Sequence, residues 1–377
     1  MSRRIRDLAA TTLVLALCAS AGSLLSGCGG SGSGTIQGSA SSFKLQHDQR
    51  AVAAARHFLD RYALRDGRVA RLDQGGDTVG EGQAYGMLLA AAIDDPRRFD
   101  AIWGWTQRNL ERPDGLISFH WVKGHVVDPQ AASDADLDAS RALLVAACRF
   151  HRPALRRQAL QLSKAIMDVE VASVQGRPVL TAGPWAVTPP VTIDPSYFSP
   201  ASFLELRAAS GDRAWGALAA SSRGITSALM SPPNRLPPDW ARLEGNRPVP
   251  IGSPSDPSVK PEFSFDAVRT LVRMAEDPDP AGRQIAARAW PVFATQNPAR
   301  LTVNHTLSGR PTGNILHPVV LVAAAGAADA AGNTAARDGL LDQAEALDRH
   351  SPTYYGAAWV ALGRIMLTTN FLDMSCT

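Results

Sequence analysis

The sequence predicts an all-helical fold, a toroid of about six helical hairpins. Apolar residues recur at three- and four-residue spacing through most of the chain after Gln46, the period of a helix. The helical segments follow one another and pair in succession, which suits a closed toroid or an open stack of hairpins. No GxGxxG or P-loop follows any strand-like stretch, so nucleotide-binding folds lose support.

The chain of 377 residues opens on a targeting segment. Arg3, Arg4 and Arg6 precede an apolar run from Leu8 to Leu25, which ends at Leu25-Ser26-Gly27-Cys28. A basic start, an apolar core and small residues at its end mark export, and such a run is not counted as a membrane span. The tetrapeptide resembles a lipobox, so Cys28 is the expected lipidation site. An ordinary signal peptide that contains a cysteine is the alternative. Residues 1–28 are read as this signal, 29–44 as a Gly/Ser-rich flexible linker, and 45–377 as one folded domain. No later stretch is long and apolar enough to cross a bilayer. The expected location is periplasmic with a lipid anchor, or secreted.

Helices are expected near residues 47–63, 83–93, 97–110, 136–150, 153–170, 199–209, 211–227, 266–276, 280–296, 317–330, 335–348 and 354–369. Val319 to Ala330 is apolar nearly all round, so that helix should be buried. Pro113-Asp114-Gly115 is a turn signal. Pro184 to Pro200 and Pro232 to Pro261 are Pro-rich and read as irregular, with short strand pairs near 116–127 and 176–188.

Net charge is +3, and Lys and Arg are scattered rather than gathered in a stripe, which argues against a nucleic-acid binder. Cys148 and Cys376 lie far apart and have no CxxC partner, so zinc is not expected. A disulfide between them and two free thiols both fit. His120 and His125 are five residues apart, do not share a helix face and have no Glu placed to complete a site. Neither a metal nor a cofactor is expected.

Three segments place acidic residues at the starts of apolar helices: Gly80-Glu81-Gly82-Gln83-Ala84-Tyr85-Gly86, Ser133-Asp134-Ala135-Asp136-Leu137-Asp138, and Phe265-Asp266-Ala267-Val268-Arg269. Capping is the ordinary reason for such placement. Two features argue for more. Glycines flank Glu81 and are costly in helices, so something approaches the backbone there. Asp134, Asp136 and Asp138 repel one another at two-residue spacing. In a toroid, alternate helices point the same way and share a rim, so distant carboxylates meet in one cleft. Glycoside hydrolysis needs such a pair, one carboxylic acid for the leaving oxygen and one carboxylate for water or the sugar carbon. Arg269, three residues after Asp266, can hold that carboxylate.

The segment Glu81-Gly82-Gln83-Ala84-Tyr85-Gly86-Met87 resembles the acid-bearing motif of glycoside hydrolase family 8. Ala132-Ser133-Asp134-Ala135-Asp136-Leu137 resembles the family signature. Pro195-Ser196-Tyr197-Phe198 and Asp266-Ala267-Val268-Arg269 match two further blocks in the family's order. The likeness covers roughly residues 45 to 370, and its nearest members are the endoglucanases encoded with bacterial cellulose synthases. It implies an (α/α)6 barrel and inverting hydrolysis of β-1,4 glucan without a metal. It implies Glu81 as general acid, Asp266 as the base that activates water, Tyr197 as a holder of that water, and Arg269 as support for Asp266. One or both of Asp134 and Asp136 would bind the sugar nearest the cut, with Asp136 the favoured one and Asp134 kept as structural. Ala139, Ser140 and Phe265 depart from the pattern; Phe265 stands where Tyr is common.

Sugar faces stack on aromatic rings, and among the tryptophans Trp121 and Trp185 lie in loops near the acidic motifs. The Tyr354-Tyr355 pair opens the last helix and is expected at the cleft. The expected partner is a β-1,4-linked polysaccharide, with the cellulose synthase export complex as a physiological partner. Chitosan, xylan or mixed-linkage glucan on the same fold, a non-catalytic carbohydrate-binding lipoprotein, and a helical-repeat scaffold for proteins are the alternatives.

Overall fold

The computed structural model describes residues 35–256 and 258–374. Residues 42–377 form one compact unit, described below. The expected signal peptide and Cys28 lie outside the described residues.

Among the described residues, thirteen helices run in chain order: α1 (Thr35–Tyr62), α2 (Gly80–Ala92), α3 (Pro96–Asn109), α4 (Ser133–Arg149), α5 (Pro153–Val169), α6 (Pro200–Ser210), α7 (Ala214–Leu229), α8 (Ala267–Glu276), α9 (Pro280–Ala287), α10 (Trp290–Ala294), α11 (Pro318–Ala330), α12 (Thr334–His350) and α13 (Tyr354–Thr368). Local chemistry sets many of the starts. Pro96, Pro153, Pro200, Pro280 and Pro318 each open a helix, where the missing N–H is no loss. Asp95, Ser199, Asp279, Asn333 and Thr353 accept backbone N–H groups from the first turn of their helices.

Six of these helices close a ring: α2 packs on α4, α4 on α6, α6 on α8, α8 on α11, α11 on α13, and α13 on α2. Nearly every residue of α2, α8, α11 and α13 is buried. The helices between them in sequence (α3, α5, α7, α9, α12) are amphipathic and lie outside, each against an inner neighbour. Within the compact unit, α1 joins this outer layer: Phe58 and Tyr62 pack on Tyr354. The result is the six-hairpin (α/α)6 barrel that was expected.

Strands decorate one set of loops. β1 (Thr78–Val79), β2 (Ser118–Val122) and β3 (His125–Ala131) form an antiparallel sheet, β4 (Val171–Val174) and β5 (Arg177–Leu180) a hairpin, and β6 (Thr192–Ile193), β7 (Trp240–Glu244) and β8 (Arg247–Ile251) a second sheet.

Four expectations need correction. The β7–β8 hairpin crosses a segment read as irregular. Its two-residue turn, Gly245-Asn246, has Gly245 at φ 60. The second strand pair ends at Leu180, not near 188, because Gln175 and Gly176 supply the positive φ that places the turn earlier. The single helix expected over 280–296 is two helices, since Pro291 has no N–H to continue the ladder. Finally, α1 begins at Thr35, inside the expected linker. Extending a formed helix is far cheaper than nucleating one.

Candidate active site

The inner helices start on one rim, and their first residues converge there. β1 runs into α2 at Gly80, and Glu81 stands in the first turn. The flanking glycines are required by packing. A Cβ on Gly82 would fall 2.4 Å from the Tyr354 hydroxyl, and one on Gly80 would fall 3.0 Å from the Ser118 carbonyl. Glu81 therefore lies tight against α13, with 21% of its side chain exposed.

Arg269, in the first turn of α8, is only 1% exposed and sits at the centre of four carboxylates. Its Nη1 donates to Asp134 Oδ2 at 2.7 Å and lies 3.6 Å from Glu81 Oε2; its Nη2 donates to Asp266 Oδ1 at 2.9 Å and to Asp194 Oδ2 at 3.4 Å. Nη1 also reaches the Tyr85 hydroxyl at 3.2 Å, and the guanidinium lies over the Tyr197 ring, 5.2 Å from its centre. The two terminal nitrogens of a planar guanidinium are about 2.3 Å apart, so one oxygen of Glu81 lies within about 9 Å of one oxygen of Asp266.

The two carboxyl groups are not equivalent. Burial, and then the negative charges of Asp134 and Asp266, push Glu81 up from 4.5 to about 7 against the pull of Arg269. It is held as an acid near neutral pH. Asp266 is the more open, with 37% of its side chain exposed, and takes a charge-assisted bond from Arg269.

The structure places Asp134, rather than Asp136, among these groups. Two residues along a helix is a turn of about 200°, so the two side chains face opposite ways. Asp136 accepts from Ile117 N at 2.8 Å and its Oδ2 is buried without a partner. Burial drives its carboxyl well above the usual range, as it does for Glu170 nearby. Asp138 pairs with Arg273 through two bonds of 2.9 and 2.7 Å, which ties α4 to α8 beneath the site.

Tyr197 ends a short 3-10 turn, Pro195–Tyr197, that is fixed by Asp194 accepting from Ser196 N. Trp185 is 44% exposed and lies 6.4 Å from Trp240, which lies 6.4 Å from Tyr197, so a chain of aromatic rings leads from the surface to the site. Trp121 is less available, since Arg68 covers its ring at 5.0 Å and Trp105 meets it edge-on. Tyr355 donates to the Phe265 carbonyl at 2.7 Å. Phe265, in place of Tyr, packs edge-on against His317 at 5.1 Å.

A cavity of about 380 Å³ is lined by Glu81, Asp266, Phe265, His317, Tyr354 and Tyr355. A second of about 220 Å³, lined in part by Asp239, Trp240 and Lys260, shares Asp266 with it, so open space extends beyond the carboxylate pair. Among the described residues, no group of three or more His, Cys, Asp or Glu is placed to hold a metal. His120 is bonded to Asp77 at 2.7 Å. Cys148 is disulfide-bonded, and Cys376 lies outside the described residues.

Sequence reasoning missed Asp194, Asp239 and Tyr85, and it found Tyr354 with Tyr355. Asp194 carried a weak signal, an Asp before Pro-Ser, which reads as a turn former. Asp239, before Trp240 in a Pro-rich segment, carried none.

A helical barrel whose rim sets a carboxyl raised to about 7 beside an arginine-paired aspartate suits the acid–base chemistry of a glycoside hydrolase. The sequence profile described as "Glycosyl hydrolases family 8" matches residues 43–366. The chain belongs to glycosyl hydrolase family 8. It is 30% identical over 324 residues to a probable endoglucanase of Novacetimonas hansenii, covering 81% of this chain and 87% of the relative. It is 32% identical over 229 residues to an endoglucanase of Xanthomonas axonopodis pv. citri, covering 57% of each. The solved endo-beta-1,4-glucanase CMCax from Acetobacter xylinum superposes with a TM-score of 0.72 at 27% identity, covering 85% of this chain and 98% of that one.

Proposed function

We propose that the protein is an inverting endo-β-1,4-glucanase that hydrolyses cellulose or a related β-glucan. One observation carries the acid–base reading: Glu81 and Asp266 flank a single arginine, with one oxygen of each no more than about 9 Å apart, and burial raises Glu81 to about 7. That upper bound admits the spacing of either mechanism, and inversion is taken from the family resemblance. Inverting enzymes hold their carboxyl groups roughly 6.5–9.5 Å apart, and retaining ones at about 5–5.5 Å. Glu81 gives its proton to the glycosidic oxygen as the C–O bond breaks. Asp266 takes a proton from the water that attacks the sugar carbon from the opposite face. Glu81 ends ionised and Asp266 protonated, and exchange with solvent resets both. Asp134 stands at the sugar nearest the cut, Asp194 braces Arg269, Tyr197 helps hold the water, and Trp185 and Trp240 offer stacking faces. The names of the relatives support glucan over other polysaccharides. We place the enzyme outside the cytoplasm, lipid-anchored through Cys28, trimming nascent cellulose during synthesis and export; this placement rests on the first 28 residues and on the family resemblance.

NMR of the first product from a soluble β-1,4 glucan tests the mechanism. An α-configured new reducing end is expected, and a β-configured one refutes inversion. Reducing-end release from carboxymethyl cellulose, xylan, chitosan and mixed-linkage glucan tests the substrate. Fastest release from any but the first would overturn the cellulose reading.

A further inference from the structure

The base stands in a place where an aspartate would normally be occupied. Asp266 holds the N-cap position of α8. An Asp there usually folds its carboxylate back onto the free N–H groups of the first turn. Elsewhere this chain does just that: Asp95 accepts from Arg98 N, Asp279 from Ala281 N, and Asp194 from Ser196 N. Asp266 makes no such bond.

The reason lies in who satisfies those N–H groups. Ala267 N donates to Asp239 Oδ1 at 2.8 Å, Val268 N to the Ser264 carbonyl at 3.2 Å, and Arg269 N to the Asp266 carbonyl at 3.1 Å. The same Asp239 Oδ1 accepts from Ser264 N at 2.8 Å, and its Oδ2 is bonded to the Ser264 hydroxyl. Asp239 is anchored in turn by its own N–H, which donates to the Glu262 carbonyl at 2.9 Å. One carboxyl group from the segment before β7 thus clamps both ends of the turn 264–267.

We propose that Asp239 is a positioning residue for the base: it caps α8 in place of Asp266 and so leaves the Asp266 carboxylate free to face the cleft. The proposal rests on Asp266 being the base. With Asp239 removed, the Ala267 amide loses its acceptor while Val268 N keeps the Ser264 carbonyl, and the adjacent Asp266 carboxylate is drawn to the Ala267 amide, away from Arg269 and from the water. Capping does not need charge on Asp239. Burial, and then the adjacent Asp266, push its carboxyl up to about 7. The neutral form still accepts both amides at Oδ1 while its hydroxyl donates to Ser264.

The test uses the purified full chain and three variants, with melting curves so that rates refer to folded enzyme. Misplacing a reacting group by about 1 Å costs on the order of 100-fold, so Asp239→Ala should lower kcat by about that factor with KM within about threefold. Asp239→Asn keeps an acceptor at Oδ1 and should recover most of the loss. A crystal structure of Asp239→Ala should show the Asp266 carboxylate on the Ala267 amide. A kcat within about threefold of wild type for folded Asp239→Ala would overturn the proposal. So would Asp239→Asn as slow as the alanine variant, since that would mean a charge or proton role. Asp266→Asn separates the two readings. If it stays active, the base assignment fails, and the Asp239→Ala crystal structure still decides the capping: an unmoved Asp266 carboxylate there rejects it.

Discussion

Replacing Glu81 by Gln should abolish catalysis and stabilise the fold in a pH-dependent way. Glutamine mimics the protonated acid and cannot ionise. The folded protein raises Glu81 from 4.5 to about 7, so its folded form binds the proton more tightly than the unfolded chain does. The sign follows from linkage. Below pH 4.5 Glu81 is protonated in both states and costs nothing. As pH rises from 4.5 to 7 the unfolded chain alone releases the proton, and wild type loses stability. Above 7 both states are ionised and the loss is complete. At about 1.4 kcal/mol per pH unit the full cost is on the order of 3 kcal/mol. Urea unfolding of wild type and Glu81→Gln at pH 4, 6 and 8 measures it. The two should match at pH 4 and separate progressively, with the variant more stable at pH 8. On the same grounds the alkaline limb of kcat/KM for wild type should fall near pH 7. A stability difference that stays flat across this range would refute the claim that the fold keeps Glu81 protonated, and with it the acid role.

Two further substitutions probe the surroundings of the pair. Arg269→Met leaves Asp134, Asp194 and Asp266 without their shared cation, and losing one partner of a buried ion pair costs roughly 3–5 kcal/mol; a lowered urea midpoint with loss of activity is expected, and an unchanged midpoint contradicts the arginine-centred site. Gly82→Ala drives a methyl to 2.4 Å from the Tyr354 hydroxyl, so overpacking of roughly 1–3 kcal/mol should outweigh the gain of about 1 kcal/mol in helix propensity; a variant that melts above wild type contradicts the contact between α2 and α13.

The helices were readable because each carries its own 3.6-residue period and, often, a Pro or polar cap at its start. Val319 to Ala330 illustrates this: an apolar circumference means burial whatever the topology, and the helix lies between α8, α12 and α13. Glu81, Asp266 and Arg269 were readable through their surroundings, the glycines in one case and the three-residue spacing in the other. What stayed hidden depends on rotation and on distant chain. Asp134 and Asp136 look alike in a string of letters, yet their roles divide on which side of one helix faces Arg269. Asp194 and Asp239 act through bonds to groups 75 and 28 residues away, Arg269 and Ala267, and no local pattern announces such partners. The β7–β8 hairpin was masked by the prolines that surround it, although its Gly-Asn turn was in plain view.

The closure of the ring by α13 on α2 makes the site a late product of synthesis. Glu81 comes from the first inner helix, and Tyr354 and Tyr355, which wall its cavity, open the last. Until residue 355 has been made, Glu81 lacks one wall of its cavity. A growing or truncated chain carries Glu81, Asp134, Asp194 and Asp266 and still lacks the wall that Tyr354 and Tyr355 give the cavity.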